Sequence, residues 1–321
     1  MIRGKRLLAF LTALVTISAC LGTLYSPNHD FSLRQNEHRK KFGAVYMTLN
    51  NPFYEVIDEE IRTNVEDHGD VLLSRDPALS VEKQTEEVKE LIKEGVSVIF
   101  LNPVDFEHMG PALDAARQAH VPVITIDTNV QDSDYVVSTI ETDNYAAGVA
   151  CAKHLLRTAP GAKILLLKHS AAHSAVDHIA GFRQTVAGHE GFTIVDEAEC
   201  DGQLERAMPA TQTMLAQHPE ADTIMALNDP SALGAMTALE SLGRLQDFRI
   251  YGVDGVPETK ELILTGRMTA TAGQSPRHIG QLAAQQAYRL LDGEPVEQLI
   301  QLPTHLWTRD NLSPEQTKEW D

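Results

Sequence analysis

Cysteine and positive charge are both scarce in this sequence. Only 3 of its 321 residues are cysteines, and 27 lysines and arginines stand against 45 aspartates and glutamates, for a formal net charge of −18 at pH 7. So few cysteines do not make a disulfide framework in a chain of this length. An acidic chain without a basic stripe lacks the charge that phosphate backbones require, which argues against nucleic-acid binding.

Signatures of common enzymes are missing as well. The sequence has no G-x-S-x-G elbow, no P-loop, no G-x-G-x-x-G after its first strand and no H-E-x-x-H motif. Asp127 and Asp254 are the only candidate pair for acid–base chemistry. We therefore expect neither catalysis nor a bound cofactor.

The first 20 residues have the pattern of an export signal. Three basic residues among the first six precede the apolar run Leu7–Ala19, which contains no charge. Residues 17–20 at the end of the run read ISAC, which looks like a bacterial lipobox. After cleavage, its Cys20 would be acylated and become the first residue. The alternative is an uncleaved membrane anchor over Leu7–Tyr25. Residues 21–41, which are polar from Ser26 onward, are predicted to form a tether.

From Gly43 onward, apolar strand patterns alternate with amphipathic helix patterns. The two halves echo one another, since VIFLNPVD in the first resembles IMALNDPS in the second, and VITIDT resembles IYGVDG. Continuous apolar strands are typical of buried parallel sheets. The pattern predicts an α/β fold with two doubly wound parallel-sheet lobes of similar topology, completed by a terminal strand near residues 298–307.

Polar and aromatic side chains collect where these strands end. In open α/β sheets, ligands bind outside the carboxyl ends of the strands. Amides and carboxylates can meet the hydroxyl groups of a sugar while aromatic rings cover its C–H faces. Each polar residue alone could be a turn former or a helix N-cap, but their recurrence at equivalent strand ends favours a sugar site. The candidates are Asn51, Phe53, Tyr54, Asn102, Asp127, Asn228, Asp254 and Gln274.

Several motifs occur together in an order that is specific for one family. They are TLNNPFY at 48–54, LNPVD at 101–105, ITIDT at 124–128, TDN at 142–144, Gly-Phe at 181–182, ALNDPSALGA at 226–235, YGVDG at 251–255, and Gln274. From about residue 42 to residue 312, the chain resembles the ribose-binding group of bacterial periplasmic sugar-binding proteins, relatives of the lactose-repressor ligand domain. The resemblance implies the type I periplasmic binding protein fold, with two lobes that close like a hinge on one sugar.

The resemblance also implies where the lobes and the site lie. Three crossovers would fall near Asp143, Gln274 and Pro303, so that residues 42–142 with 275–303 form the first lobe and residues 143–274 with 304–321 the second. The first lobe would present Asn51, Phe53, Tyr54, Asn102 and Asp127 to the cleft, and the second lobe and hinge His178, Asn228, Asp254 and Gln274.

The implied function is the capture of a sugar outside the cytoplasm. The protein would be a monomer, anchored in the periplasm or on the outer face of the cytoplasmic membrane, that delivers sugar to an ABC importer. The alternative is a membrane-tethered sensor that signals to a histidine kinase or a chemoreceptor. A transcriptional repressor would need a helix-turn-helix before the first lobe, where this chain has an export segment.

Two departures from the ribose-binding pattern bear on the ligand. Ribose binders place arginine where this chain has Thr128 and His178, and Cys200 replaces an aromatic residue. Because arginine binds pairs of hydroxyls bidentately, the predicted ligand is a neutral pentose, hexose or polyol other than ribose itself. The two aspartates would repel an acidic or phosphorylated sugar. His178 is expected to make a pH-sensitive contribution near the reference pKa of histidine.

A metal site is the alternative for one group of histidines. His169, His173 and His178 lie within ten residues and could ligate a metal. Apart from Asp177, the segment offers no matching cysteine or carboxylate, so we interpret the three as ordinary loop and helix-start histidines.

Overall fold

The structure is a computed structural model that describes residues 39–131 and 133–320. Residues 41–321 form one compact unit. The predicted export segment and Cys20 lie outside the described residues. In the part of the chain that is described, no helix is both long enough and apolar enough to cross a membrane.

Helices and strands alternate along almost the whole unit. The helices are Pro52–Asp67 (α1), Val81–Lys93 (α2), Gly110–Gln118 (α3), Asn144–Thr158 (α4), His173–Val186 (α5), Leu204–Gln217 (α6), Asp229–Ser241 (α7), Pro257–Leu264 (α8) and Pro276–Leu291 (α9). The strands are Lys41–Val45 (β1), Val71–Arg75 (β2), Val98–Leu101 (β3), Val123–Ile126 (β4), Val136–Thr142 (β5), Ala162–Lys168 (β6), Phe192–Glu199 (β7), Thr223–Ala226 (β8), Arg249–Asp254 (β9), Ala270–Gly273 (β10), Leu299–Leu302 (β11) and His305–Thr308 (β12).

The strands form two six-stranded sheets. The first has the order β11-β5-β4-β3-β1-β2, and the second the order β12-β10-β9-β8-β6-β7. All pairings are parallel except that of β10 with β12. The predicted fold class, two parallel-sheet α/β lobes of similar topology, is confirmed.

The central strands are buried on both faces. Every residue of β3, β4 and β8 is buried, which explains their continuous apolar composition. Helix starts follow local capping rules: Ser80 is the N-cap of α2, and its side chain accepts a hydrogen bond from the amide of Lys83.

Helices α4 and α5 pack with their backbones in near contact. A Cβ added to Gly148 would overlap the carbonyl oxygen of His178, and one added to Gly181 would overlap the carbonyl oxygen of Tyr145. Only glycine allows this approach. The packing therefore fixes the position of His178, which lies on α5 and faces the cavity described below.

The prediction of one terminal strand near residues 298–307 is wrong. The segment forms two strands in different sheets, β11 beside β5 and β12 beside β10. Pro303 lies between them, and its missing N–H cannot continue a ladder of hydrogen bonds. Within the described residues, the chain also passes from one sheet to the other after β5 and after β10.

Candidate functional site

The carboxyl ends of strands from both sheets surround one cavity. Eight of the nine residues predicted for the site line it, namely Asn51, Phe53, Tyr54, Asp127, His178, Asn228, Asp254 and Gln274. The empty volume between the lining side chains is about 420 Å³, part of which is open to solvent. No lysine or arginine is among the lining residues. The wall therefore offers hydrogen-bonding groups of an acidic or neutral kind.

Asp127 follows β4 and has a strained backbone, with φ at 66°. Its carboxylate accepts hydrogen bonds from the hydroxyl of Tyr54 at 3.1 Å and from Nδ2 of Asn102 at 3.4 Å. Burial raises its pKa to about 7 in spite of these donors. The carboxyl therefore titrates in the neutral range.

Asn102 lies behind Asp127 and is not among the residues that line the cavity. Its Oδ1 accepts from the amide of Met47 at 3.1 Å, and its Nδ2 also donates to the carbonyl of Ile126 at 3.2 Å. The side chain thus joins β1, β3 and β4 at their carboxyl ends. Here the structure differs from the expectation, since the amide positions the carboxylate and does not face the cleft.

Asp254 and Gln274 form a second polar pair in the cavity wall. Asp254 also has a left-handed backbone, with φ at 126°, and Nε2 of Gln274 donates to its Oδ1 at 3.0 Å. Oδ2 of Asp254 and Oε1 of Gln274 are buried and have no hydrogen-bond partner within the described ranges. Because buried polar atoms are normally paired, these two atoms call for hydrogen-bond partners from a ligand.

Asp229 supports this pair and was not recognised as a site residue from the sequence. Its Oδ2 accepts from the amides of Gly255 at 3.1 Å and Val256 at 2.9 Å and from the hydroxyl of Thr259 at 2.5 Å. Its Oδ1 accepts from the hydroxyl of Thr271 at 2.7 Å. The carboxylate thereby fixes the turn that follows Asp254. Its place directly after the strand-end residue Asn228 was the only signal in the sequence.

Asn51 and Asn228 are both helix N-caps and cavity residues. Oδ1 of Asn51 accepts from the amide of Phe53 at 3.0 Å, and Oδ1 of Asn228 accepts from the amide of Ser231 at 3.0 Å. Nδ2 of Asn228 donates to the carbonyl of Gly202 at 3.2 Å. The two interpretations offered by the sequence are therefore compatible: each amide starts a helix and still faces the cavity.

Two aromatic rings form the apolar part of the wall. Phe53 and Tyr54 meet edge to face, with centroids 5.5 Å apart. Tyr54 also orients Asp127 through its hydroxyl. A ring with a polar edge beside an apolar ring suits a ligand that alternates C–H and O–H groups.

The expected pH-sensitive role of His178 is wrong. Nδ1 of its ring donates to the carbonyl of Leu227 at 2.8 Å, and Nε2 lies 3.0 Å from the side-chain amide of Asn144. Burial lowers its pKa to about 4. Burial thus favours the neutral ring at physiological pH. That ring donates from Nδ1 to Leu227 and leaves Nε2 as an acceptor facing Oδ1 of Asn144.

We expect the His178 ring to show no titration between about pH 5.5 and pH 8. Ring NMR signals of the full chain, assigned with His178→Gln, provide the measurement. His108 is the internal control, because Asp105 raises the pKa of this exposed ring, and its signals should move in the same series. A His178 midpoint near the ordinary histidine value would contradict the burial argument.

His169 is a cavity residue that the sequence analysis interpreted as an ordinary loop histidine, with metal ligation as the alternative. The ring lines the cavity and is 5% exposed, and burial lowers its pKa to about 4. Among the described residues, no cluster of three or more His, Cys, Asp or Glu is placed to hold a metal ion. His173 instead lies against the ring of Phe106. No site unites the three histidines.

Direct contacts hold the two sides of the cavity together. Nδ2 of Asn50 donates to Oε1 of Gln203 at 2.6 Å, and the amide of Ser174 donates to the Thr128 hydroxyl at 3.0 Å. The amide of Phe106 donates to the carbonyl of Ala171 at 2.9 Å. These contacts bridge the two sides of the cavity, and the Thr128 hydroxyl takes part in one of them.

Two facing α/β halves with a buried polar cavity between them form the architecture of a ligand-binding protein. The family model described as periplasmic binding protein domain matches residues 42–295. The chain belongs to this family, whose members are solute-binding proteins of the extracytoplasmic space and not enzymes. The predicted family is confirmed.

Individual relatives support the same family assignment. The chain is 32% identical to the ribose import binding protein of Salmonella typhimurium over 257 residues, which is 79% of this chain and 86% of that protein. An ABC transporter solute binding protein of Mycobacterium smegmatis with bound glycerol is 33% identical, with a TM-score of 0.81 and coverage of 85% of this chain and 95% of that one. The myo-inositol binding protein of Caulobacter is 25% identical, with a TM-score of 0.80 and coverage of 84% and 94%. Sugar capture is thereby supported for this chain.

Proposed function

We propose that this protein captures a neutral sugar or polyol of monosaccharide size in the cavity between its two sheets. The observation that carries the proposal is a wall with two buried carboxyls, Asp127 and Asp254, and no lysine or arginine. Hydroxyl groups of a sugar can both donate and accept, so they can pair with Oδ2 of Asp254 and Oε1 of Gln274, which lack partners within the described ranges. An anionic ligand would meet repulsion without compensation.

A thermal-shift screen followed by calorimetry tests the ligand class. The panel contains neutral pentoses, hexoses and inositols together with sugar phosphates and uronic acids. We expect stoichiometric binding of a neutral compound, because binding to the folded state alone raises Tm. A tight hit from a sugar phosphate or a uronic acid, or turnover of any sugar, would refute the proposal.

Delivery of the sugar to an ABC importer is the proposed role of the complex. The support is that related proteins carry the descriptions ribose import binding protein and ABC transporter solute binding protein. Stimulation of a permease ATPase in vesicles by the sugar-loaded protein tests this role. Activation of a histidine kinase in place of an ATPase would favour the sensor.

Closure on the ligand is the proposed conformational change. Sheet membership supports lobes of residues 42–142 with 275–303 and residues 143–274 with 304–321, since β11 joins the first sheet and β12 the second. We expect a smaller radius of gyration with bound sugar, because the two lobes each supply half of the ligand contacts. Small-angle scattering with and without sugar measures it. An unchanged radius in both wild type and Asn50→Ala, which removes one contact to Gln203, would indicate a rigid module.

Membrane attachment through Cys20 completes the proposal. The ISAC sequence at the end of the apolar run supports acylation of this cysteine. We expect the membrane-extracted protein to begin at an acylated Cys20, and Cys20→Ser to block processing at this site. Mass spectrometry of the N-terminus decides between the alternatives. A retained Met1 would indicate the uncleaved anchor.

A further inference from the structure

Three buried aspartates lie close to the cavity with no cation in its wall. Asp127, Asp229 and Asp254 are 2%, 0% and 3% exposed, and a neutral sugar brings no charge to them. A buried carboxylate that lacks a cation takes up a proton unless hydrogen-bond donors stabilise its charge. The number of hydrogen-bond donors at each carboxylate therefore ranks the three aspartates by how well their negative charge is stabilised.

Hydrogen bonds are distributed unequally among these carboxyls. Asp229 receives four, from two backbone amides and the hydroxyls of Thr259 and Thr271. Asp127 receives two, from Tyr54 and Asn102. Asp254 receives one, from Gln274, and its Oδ2 is left without a protein partner in the described ranges. Asp254 is thus the carboxyl whose negative charge is least stabilised.

We propose that Asp254 keeps its proton at neutral pH and donates a hydrogen bond to the sugar, while Asp127 ionises and accepts from it. For the part played by the sugar, this inference rests on the proposed function. The cavity then combines an acid that donates with a carboxylate that accepts. It needs no guanidinium to bind an uncharged polyol.

The charged and titratable neighbours of Asp254 favour its neutral form. Burial first, and then the negative charges of Asp229 and Asp127, raise its pKa well above the ordinary value. Burial raises the pKa of Tyr54 far above the neutral range, so its hydroxyl stays neutral. Lys260 on α8 donates to the carbonyl of Glu319, and no cation is among the groups that shift the pKa of Asp254. In a pair of interacting carboxyls such as Asp229 and Asp254, one group holds the proton and the other the charge. The four donors at Asp229 favour the charge there and the proton on Asp254.

A consequence for specificity follows from the donor role. The part of the sugar that meets Asp254 must be an acceptor, such as a ring oxygen or a hydroxyl oxygen that donates elsewhere. An ammonium group at the same position would require Asp254 to ionise. A protonated Asp254 therefore selects a neutral sugar over its amino derivative.

Carbon-13 NMR of the ligand-free full chain, labelled at the aspartate carboxyl carbons, tests the protonation directly. The Asp254 and Asp127 signals are assigned as those lost in Asp254→Asn and Asp127→Asn. We expect the Asp254 signal to have the shift of a neutral acid at pH 7 and the Asp127 signal to titrate near pH 7. Gln274→Leu, which removes the donor to Asp254, should move the Asp254 midpoint upward and provides a second assignment. A carboxylate shift for Asp254 at pH 7 would overturn the inference.

Calorimetry with D-ribose, L-arabinose, D-glucose and myo-inositol supplies the ligand arm. Each compound that binds should lose affinity as pH rises through the Asp254 midpoint, and Asp254→Asn should abolish this alkaline loss. Constant or rising affinity would overturn the donor role, as would a preference for D-glucosamine over D-glucose. If no sugar binds, the proposed function fails, while the NMR experiment still decides the protonation of Asp254.

Discussion

Asp127→Ala is expected to weaken sugar binding by about 2–4 kcal/mol, which is about 30- to 900-fold in Kd. A carboxylate that accepts from sugar hydroxyls forms charge-assisted hydrogen bonds, and its removal leaves those hydroxyls buried without partners. The pKa of about 7 adds a pH dependence. Because the ionised form accepts better, affinity should fall as pH drops through that value.

Calorimetry with the tightest-binding sugar of the screen measures both the loss of affinity in Asp127→Ala and the pH dependence of wild-type binding. Asp127→Asn is the matched variant, since asparagine tolerates the left-handed backbone at this position better than alanine, and it should lose the acid-side pH dependence. Asp114→Ala serves as the control, because Asp114 is exposed on α3 and pairs with Arg117, and neither residue lines the cavity. Wild-type affinity in Asp127→Ala would show that the carboxylate does not meet the ligand.

Gly148→Ala is expected to destabilise the protein by about 3 kcal/mol or more. The added Cβ would overlap the His178 carbonyl and lie 2.8 Å from the amide nitrogen of Phe182. These are backbone atoms of α5, so relief requires the two helices to separate. The separation would move His178 away from Leu227 and disturb the cavity wall.

Urea unfolding of Gly148→Ala and Gly110→Ala makes the comparison. Gly110 begins α3, and a Cβ there would have no atom within 4 Å. Gly110→Ala should therefore leave the stability unchanged or raise it slightly, because alanine lowers the conformational entropy of the unfolded chain. Equal stability of the two variants would mean that α4 and α5 can separate at little cost.

Buried parallel strands made much of the fold predictable. Strands such as β3, β4 and β8 lie between neighbours with helices on their faces, so their sequences are continuously apolar and stop at polar turns. The sequence between residues 188 and 220, in contrast, has no clear strand or helix periodicity, although β7 and α6 lie there. Strand β7 is at the edge of its sheet and half exposed, and α6 contains Pro209. Both features weaken the periodic signals.

The site was predictable in position and less so in chemistry. Strand ends meet at one edge of a sheet, so the positions of Asp127 and Asp254 follow from the strand pattern. The depth of Asn102 and the neutral state of His178 depend on burial and on partners from other elements. The role of Asp229 likewise depends on Thr259 and Thr271, which lie 30 and 42 residues away in the sequence. Such distant pairings leave no local trace in a sequence.

The contacts of Asn50 with Gln203, Thr128 with Ser174, and Phe106 with Ala171 involve no ligand atom. They therefore stabilise closed molecules with or without sugar. Each kcal/mol that they contribute increases the closed, sugar-free population about fivefold while that population is small, and increases apparent affinity by the same factor. A membrane partner that reads only closure would respond to this population as a constant background. Weakening these three contacts should lower both that background and the affinity for sugar. The contacts between the lobes therefore set how tightly sugar binds and how often a sugar-free molecule engages the membrane partner.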